Sequence, residues 1–215
     1  AQIQIGLNAL KAAQADYDRL VAMTQKRRAD LAAFEATLPA KFDAWEKQYS
    51  QPIVWTPLDL EGFQAATGST FAKEKDGSVW VSGGQLNKPE LYSFRAKTRP
   101  QGITAIRLEV LSDPRLPNKG PGRASNGNFV LNELRLRVSP ASGQDKTTSH
   151  EVKFSDASAD FSQGGYDVRS AVDGNEGTGW AVSPQTGQSH EAIFILDKSL
   201  TGDGEWILSF ELDQL

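Results

Sequence analysis

The chain has 215 residues, of which 39% are hydrophobic and 23% are charged, the profile of a soluble globular protein. Its formal net charge of -4 argues against nucleic acid or an anionic membrane as a partner. There are no cysteines, which excludes disulfides, thiolate metal sites and cysteine nucleophiles. No apolar run approaches the roughly 20 residues that a membrane span requires.

The first fifty residues predict a helical arm or hairpin, residues 1–50, because apolar residues recur at alternating three- and four-residue steps. Two overlapping sets carry this pattern: Ile3, Leu7, Leu10, Tyr17 and Val21, and then Leu20, Thr24, Arg27, Leu31, Phe34 and Leu38. Thr37-Leu38-Pro39 predicts a helix stop and restart, with Thr37 as a cap. We interpret the aromatic stripe of Phe42, Trp45 and Tyr49 as packing. The arm either docks on the main domain or pairs with another part of a larger protein.

From Gln51 the hydrophobic period changes to the alternation of β-strands, and glycine and proline separate the segments. Six strands are predicted: Ser78–Ser82, Leu91–Arg95, Ile103–Val110, Phe129–Val138, His190–Leu196 and Trp206–Leu212. About eight to ten strands with no helical pattern between them predict a mainly β domain, a β-sandwich, over residues 51–215.

Two connections between the predicted strands are long. Residues 112–128 are rich in proline and glycine, and loops of this length tend to be functional or disordered. In this loop Arg123, Asn126 and Asn128 have two interpretations: they grip sugar hydroxyls or a carboxylate, or they fix the loop's own backbone. The polar stretch 140–150 is interpreted as a connection between the two halves of the sandwich.

A glycine-punctuated stretch, residues 169–180, concentrates oxygen ligands. Its glycines allow a tight turn in which the side-chain oxygens of Asp173, Asn175 and Thr178 converge. Calcium prefers such a set of carboxylate, carbonyl and hydroxyl oxygens. The alternative is an ordinary surface turn, which Asp-Gly pairs mark in many proteins.

Trp180 and His190 follow this turn. Trp180 either packs in the core or, if exposed, offers an aromatic face to a ligand. His190 begins a predicted strand and is either a satisfied hydrogen-bonding residue or part of a binding site. No nucleophile elbow, phosphate loop, dinucleotide fingerprint or histidine zinc spacing is present, so we expect no enzyme activity.

The string "SAVDGNEGTGW" resembles the Ala-x-Asp-Gly-x-x-x-Thr-x-Trp signature of discoidin-like domains. These are galactose-binding-like jelly rolls that include many carbohydrate-binding modules. The resemblance implies a structural calcium held by Asp173, Thr178 and the carbonyls of Ser170 and Asn175. It also implies a glutamate from a late strand, and "FVLNELRLRV" supplies Glu133. Because Glu133 precedes the turn here, the implied jelly roll is circularly permuted.

A longer resemblance covers roughly residues 40 to 215. The strings "GITAIRLEVLSDPRLPNKGPGRASNGNFVLNELRLRV" and "ADFSQGGYDVRSAVDGNEGTGWAVSPQTGQSHEAIF" resemble a region of large planctomycete surface proteins that also carry cytochrome-c-like domains. It implies a location outside the cytoplasm: extracellular, at the cell surface or periplasmic. Since the chain begins at Ala1, we expect it to be a processed or excised piece.

Two functions are therefore expected. The first is a non-catalytic carbohydrate-binding module that recognises a polysaccharide or oligosaccharide through loops of a calcium-stabilised jelly roll, with an arginine that favours acidic sugars. Its predicted ligand contacts are Arg123, Asn126, Asn128, Trp180 and His190. The alternative is a structural or protein-docking domain that contacts neighbouring domains of a parent protein through the helical arm.

Overall fold

The computed structural model describes residues 2–49, 53, 55–85, 88–142 and 149–214. The chain divides into two compact units, residues 1–54 and 55–215. The first unit is helical and the second is mainly β, as the hydrophobic periods predict. The predicted boundary at Gln51 lies outside the described residues. Neither described helix combines the length and apolarity that crossing a membrane takes.

Two helices, α1 (Gln2–Glu35) and α2 (Leu38–Tyr49), form the arm. Pro39 lies in the first turn of α2, where its missing N–H costs no helical hydrogen bond. The hydroxyl of Thr37 donates to the carbonyl of Phe34 at 2.7 Å, so Thr37 satisfies the end of α1, whereas a cap of α2 was expected. Side chains 2–6 and 48–49, including those of Ile3 and Tyr49, lie outside the described residues.

The second unit contains ten strands among its described residues. They are β1 (Leu60–Ala65), β2 (Ser69–Lys73), β3 (Val79–Gly83), β4 (Glu90–Thr98), β5 (Gln101–Val110), β6 (Leu131–Pro140), β7 (His150–Val152), β8 (Phe154–Ala159), β9 (His190–Thr201) and β10 (Trp206–Gln214). The six strands predicted individually are confirmed as β3, β4, β5, β6, β9 and β10. Of the predicted 140–150 connection, residues 143–148 lie outside the described part of the chain.

These strands form three antiparallel sheets. The five-stranded sheet has the order β1-β4-β10-β6-β7, the three-stranded sheet has the order β5-β9-β8, and β2 and β3 form a hairpin. Strand β10 lies at the centre of the five-stranded sheet and pairs along its length with β4 and β6.

The hydrophobic core lies between the five-stranded and three-stranded sheets, an arrangement consistent with a β-sandwich. Alternation along β6 buries Leu134, Leu136 and Val138, while β9 contributes Phe194 from the facing sheet. Each large apolar side chain buried in this way contributes about 1.5–3 kcal/mol. Trp180 closes the core beside the start of β6 and has no exposed surface.

The long loop 112–128 is compact and is fixed by its own backbone hydrogen bonds. The N–H of Asp113 donates to the carbonyl of Lys119 at 3.0 Å, and that of Gly122 donates to the carbonyl of Gly127 at 2.8 Å. A Cβ atom at Gly122 would lie 1.9 Å from the carbonyl oxygen of Asn128, so only glycine fits there.

Candidate functional site

The turn 173–178 gathers oxygen atoms around the hydroxyl of Thr178. Thr178 Oγ1 lies 3.2 and 3.0 Å from the two carboxylate oxygens of Asp173 and 2.8 Å from the carbonyl oxygen of Asn175. The carboxylate also accepts the N–H of Asn175 at 2.8 Å, which closes the turn. One hydroxyl proton therefore serves three acceptor oxygens, a surplus of acceptors that suits a hard cation.

The start of β6 holds this turn in place. Leu131 and Trp180 exchange two backbone hydrogen bonds, at 2.9 and 2.8 Å. The next side chain, Asn132, donates to the carbonyls of Glu176 and Thr178, both at 3.0 Å. Two segments that lie more than forty residues apart in the chain are thereby joined into one site.

Glu133 is the buried carboxyl group of this site. The residue is 3% exposed, and its Oε1 atom has no hydrogen-bond partner. Burial raises the pKa of Glu133 and nearby Asp173 adds to the rise, while the N–H groups of Gly174 and Asn175 and the charge of Arg135 oppose it. An orphaned oxygen on a buried carboxyl group beside this turn is an environment that a bound cation would complete.

The structure brings Asp173, Asn175, Thr178 and Glu133 together, and their carboxylate, carbonyl and hydroxyl oxygens are of the kind that calcium prefers. Ser170 lies in the 3-10 helix Val168–Ala171 that leads into the turn, and its N–H donates to Asp167 at 2.9 Å. The carbonyl of Ser170 is not among the oxygens in contact with the Thr178 hydroxyl. No cluster of three or more Asp, Glu, His or Cys side chains with metal-ligand geometry occurs in the described part of the chain. The carboxylates of Asp173 and Glu133 and the neutral oxygens of Thr178 and Asn175 are the atoms that would hold a cation here.

Arg123 is used inside the protein. Its guanidinium donates to Ser69 Oγ at 3.0 Å, to the hydroxyl of Tyr92 at 2.7 Å and to the carbonyl of Gly83. It also lies 3.8 Å from the carboxylate of Glu90, and only 20% of its side chain is exposed. Arg123 thus ties the long loop to the β2–β3 hairpin and to β4.

Asn126 and Asn128 also bind the protein itself. The side-chain oxygen of Asn126 accepts the N–H of Asn128 at 3.0 Å. The side-chain oxygen of Asn128 accepts the N–H groups of Val182 and Ser183 at 3.0 and 3.1 Å, and its amide nitrogen donates to Gln163 at 3.0 Å. Asn128 therefore joins the loop 112–128 to the segment between Trp180 and His190.

Trp180 is fully buried and offers no face to a ligand. Its indole N–H donates to the carbonyl of Phe161 at 2.9 Å, and its ring packs edge-on against Phe129 with the centroids 5.1 Å apart. The packing interpretation of the sequence is the one that the structure shows.

His190 is buried, with both ring nitrogens in contact with protein oxygens. Nδ1 lies 2.9 Å from Asp160 Oδ2, and Nε2 lies 2.7 Å from the carbonyl oxygen of Gln185. A groove of about 380 Å³ runs beside it. The groove is lined by Glu109, Leu111, Asp160, Ser189, His190 and Glu191.

Sequence reasoning missed Asn132, Glu90 and Asp160. Asn132 adjoins the glutamate that the resemblance identified, but its amide reaches carbonyls that sequence spacing does not place. Glu90 begins β4 and lies one residue before the predicted strand Leu91–Arg95, and an acidic residue next to an apolar segment was the available signal. Asp160 directly follows β8, a strand of small and polar residues that the hydrophobic period did not reveal.

Comparison of the chain with protein-family models, with curated proteins and with solved structures finds no match.

Proposed function

We propose that the protein is a non-catalytic structural domain of a larger extracellular protein, and that its helical arm docks on a neighbouring domain of that protein. The observation that supports this proposal is the exposure of apolar side chains along both helices. These side chains are Leu7, Leu10, Tyr17, Leu20, Val21, Met23, Leu31, Phe34, Leu38, Phe42 and Trp45.

An uncovered surface of this kind is costly in water. Monomeric proteins rarely expose contiguous apolar patches larger than a few hundred Å², and larger ones mark interaction sites. Burial on a partner helix would stabilise the complex by roughly 25 cal/mol for each Å² removed from water, before the cost of association. The occupant that fits is an apolar helical surface, which accepts residues at three- and four-residue spacing.

The docking proposal is tested by pull-down of the adjacent domains of the parent protein with the full chain. We expect the Leu31→Asp/Phe34→Asp variant to lose the interaction, because both side chains are 55% exposed on the arm. Gln25→Asp is the control, since it adds a charge to the arm without removing an apolar side chain. Equal recovery by the double variant, or a stable dimer of the chain alone in sedimentation, would contradict the proposal.

We further propose a circularly permuted galactose-binding-like jelly roll that is stabilised by calcium. The orphaned oxygen of Glu133 beside the turn 173–178 supports this, because Glu133 precedes the turn in the chain yet lies against it. Asp173, Thr178, Glu133 and the Asn175 carbonyl would hold the ion, with the Ser170 carbonyl as a further ligand that the resemblance implies. The ion would supply positive charge to two carboxylates and so join β6 to the turn.

Calcium binding predicts a higher melting temperature by mass action. A free concentration of ten times Kd stabilises the folded state by about 1.4 kcal/mol, which corresponds to roughly 3–5 °C for a domain of this size. Thr178→Val should remove this shift. A melt that is identical in calcium and in chelator would overturn the calcium proposal, and an experimental structure whose strands do not superpose on a jelly roll would overturn the fold.

A second candidate function, glycan binding, is favoured by the groove beside His190. Its lining of Glu109, Asp160 and Glu191 is acidic, and Arg107 pairs with both glutamates. Because Arg123 is engaged elsewhere, this lining suits the hydroxyls of neutral sugars better than acidic sugars. Micromolar-to-millimolar binding of a neutral oligosaccharide, weakened by Glu191→Gln and retained by the β7 control Glu151→Gln, is the expected calorimetric result. Binding of uronic-acid chains alone would contradict it.

A further inference from the structure

We infer that Asn132 is a positioning residue for the turn 173–178. It sets the affinity of this turn for calcium without contacting the ion. The inference rests on the proposed calcium site. Asn132 donates hydrogen bonds to two carbonyls of the turn but lies in β6, more than forty residues away in the sequence. It is therefore not part of a local sequence motif.

A β-bulge in β6 places Asn132 beside the turn. Glu133 pairs with Asp213 of β10. The next residue of β10, Gln214, pairs with Leu131, so that Asn132 is the extra residue of the bulge. Bulges redirect side chains near functional sites. Here two consecutive residues serve the same turn: Asn132 bonds its carbonyls, and the carboxyl of Glu133 lies near its N–H groups.

The amide of Asn132 binds some carbonyl oxygens of the turn and leaves the carbonyl of Asn175 beside the Thr178 hydroxyl. Its single nitrogen donates to the carbonyls of Glu176 and Thr178 at 3.0 Å each, which uses both of its N–H donors. Those two carbonyls are thus tied to β6. The carbonyl of Asn175 instead lies with the carboxylate of Asp173 around the Thr178 hydroxyl, where a cation would bind.

A further side-chain link between β6 and this turn, made by Arg135, is weaker. Arg135 donates to the Glu176 carboxylate at 2.8 Å, but 67% of the Glu176 side chain is exposed. Exposed ion pairs contribute little to stability, because water and salt screen them. Residues that orient metal ligands in this indirect way typically change metal affinity by about 10–100-fold when they are mutated.

The test measures the affinity of the full chain for calcium, by calorimetry and by terbium luminescence, at a temperature where every variant is folded. Asn132→Leu keeps the size of the side chain and removes both donors, so we expect affinity to fall by about tenfold or more. Arg137→Gln, which removes an exposed β6 ion pair with Glu151 rather than a contact to the turn, is the control and should bind within about twofold of the parent.

The outcomes separate this inference from the calcium proposal. If the parent chain binds neither ion, the calcium site is wrong and the role of Asn132 falls with it. If parent and Asn132→Leu bind equally well, the calcium site stands and the positioning role is overturned. If Asn132→Leu melts at a lower temperature than the parent in chelator but binds calcium equally well, the role of Asn132 is purely structural and the inference is overturned.

Discussion

Glu90 is buried at the start of β4 and accepts four hydrogen bonds from two neighbouring residues. The N–H and hydroxyl of Thr67 donate at 3.2 and 2.6 Å, and those of Ser69 donate at 3.3 and 2.6 Å. Burial opposes ionisation, but the hydrogen bonds outweigh it and hold the pKa of Glu90 below its ordinary 4.5. The ionised carboxylate is therefore the form that the fold stabilises.

Glu90→Gln should destabilise the protein by about 2 kcal/mol at neutral pH, because hydrogen bonds to a charged acceptor become bonds to a neutral one. A lowered pKa contributes stability above pH 4.5 that is lost as the pH falls through the folded-state value. The difference between the parent and the variant should therefore shrink below pH 4.5. Urea unfolding at neutral and acid pH measures it, with Glu151→Gln as control. A difference that grows in acid would show that the sign is wrong.

Arg123→Met should cost about 3 kcal/mol of unfolding free energy, because the variant keeps the apolar stem and leaves Glu90 buried without its cation. The hydroxyls of Ser69 and Tyr92 also lose a donor. Chemical denaturation of the purified variant checks this. A loss below about 1 kcal/mol would mean that the guanidinium is free for another role.

The oxygen cluster could be predicted at the residue scale, because Asp173, Asn175 and Thr178 are close in sequence and glycines make their turn tight. Glu133 was reached only through a resemblance. The partners of Arg123 could not be predicted, since they come from the hairpin and from β4, which only the folded sheets bring together. A polar residue in a loop looks the same in sequence whether it binds a ligand or its own chain.

The turn and β6 meet through a glycine contact that has no room for a side chain. A Cβ atom at Gly179 would lie 2.6 Å from the carbonyl oxygen of Leu131 and 3.0 Å from Asn132 Cα. Both are backbone atoms, so neither can move aside alone. Gly179→Ala should destabilise the domain by about 1–3 kcal/mol and weaken calcium stabilisation, because the turn must shift away from β6. Gly164→Ala, which has nothing within 4 Å, is the control for thermal melts. Equal melting temperatures for the two variants would contradict this prediction.

Strands with strong apolar alternation, such as β5 and β6, could be predicted from their sequence. Strand β8 could not, because "FSDASA" has small and polar residues with little intrinsic β preference. It is a strand because β9 supplies the pairing partner, with Ala157 opposite Phe194. Whether such a segment forms a strand depends on the strand that pairs with it.

At the scale of the whole molecule, the β unit contains its own core. All of the core residues and those packed against them among the described residues lie at or beyond Leu58. Phe42 and Trp45 of the arm are instead 58% and 56% exposed. Deleting residues 1–54 should therefore leave a folded domain with a cooperative melt and strand-dominated circular dichroism. An insoluble or molten product would show that the arm completes the core.

The position of β10 has a consequence for how the protein is made. The middle strand of the five-stranded sheet is the last of the ten to leave the ribosome, and both of its neighbours precede it. Until Trp206–Gln214 emerges, β4 and β6 each have one edge whose backbone N–H and C=O groups are not paired with β10. Unpaired edges of this kind can pair with other nascent chains. Translation that stops before this strand would release a protein with a gap at the centre of its largest sheet.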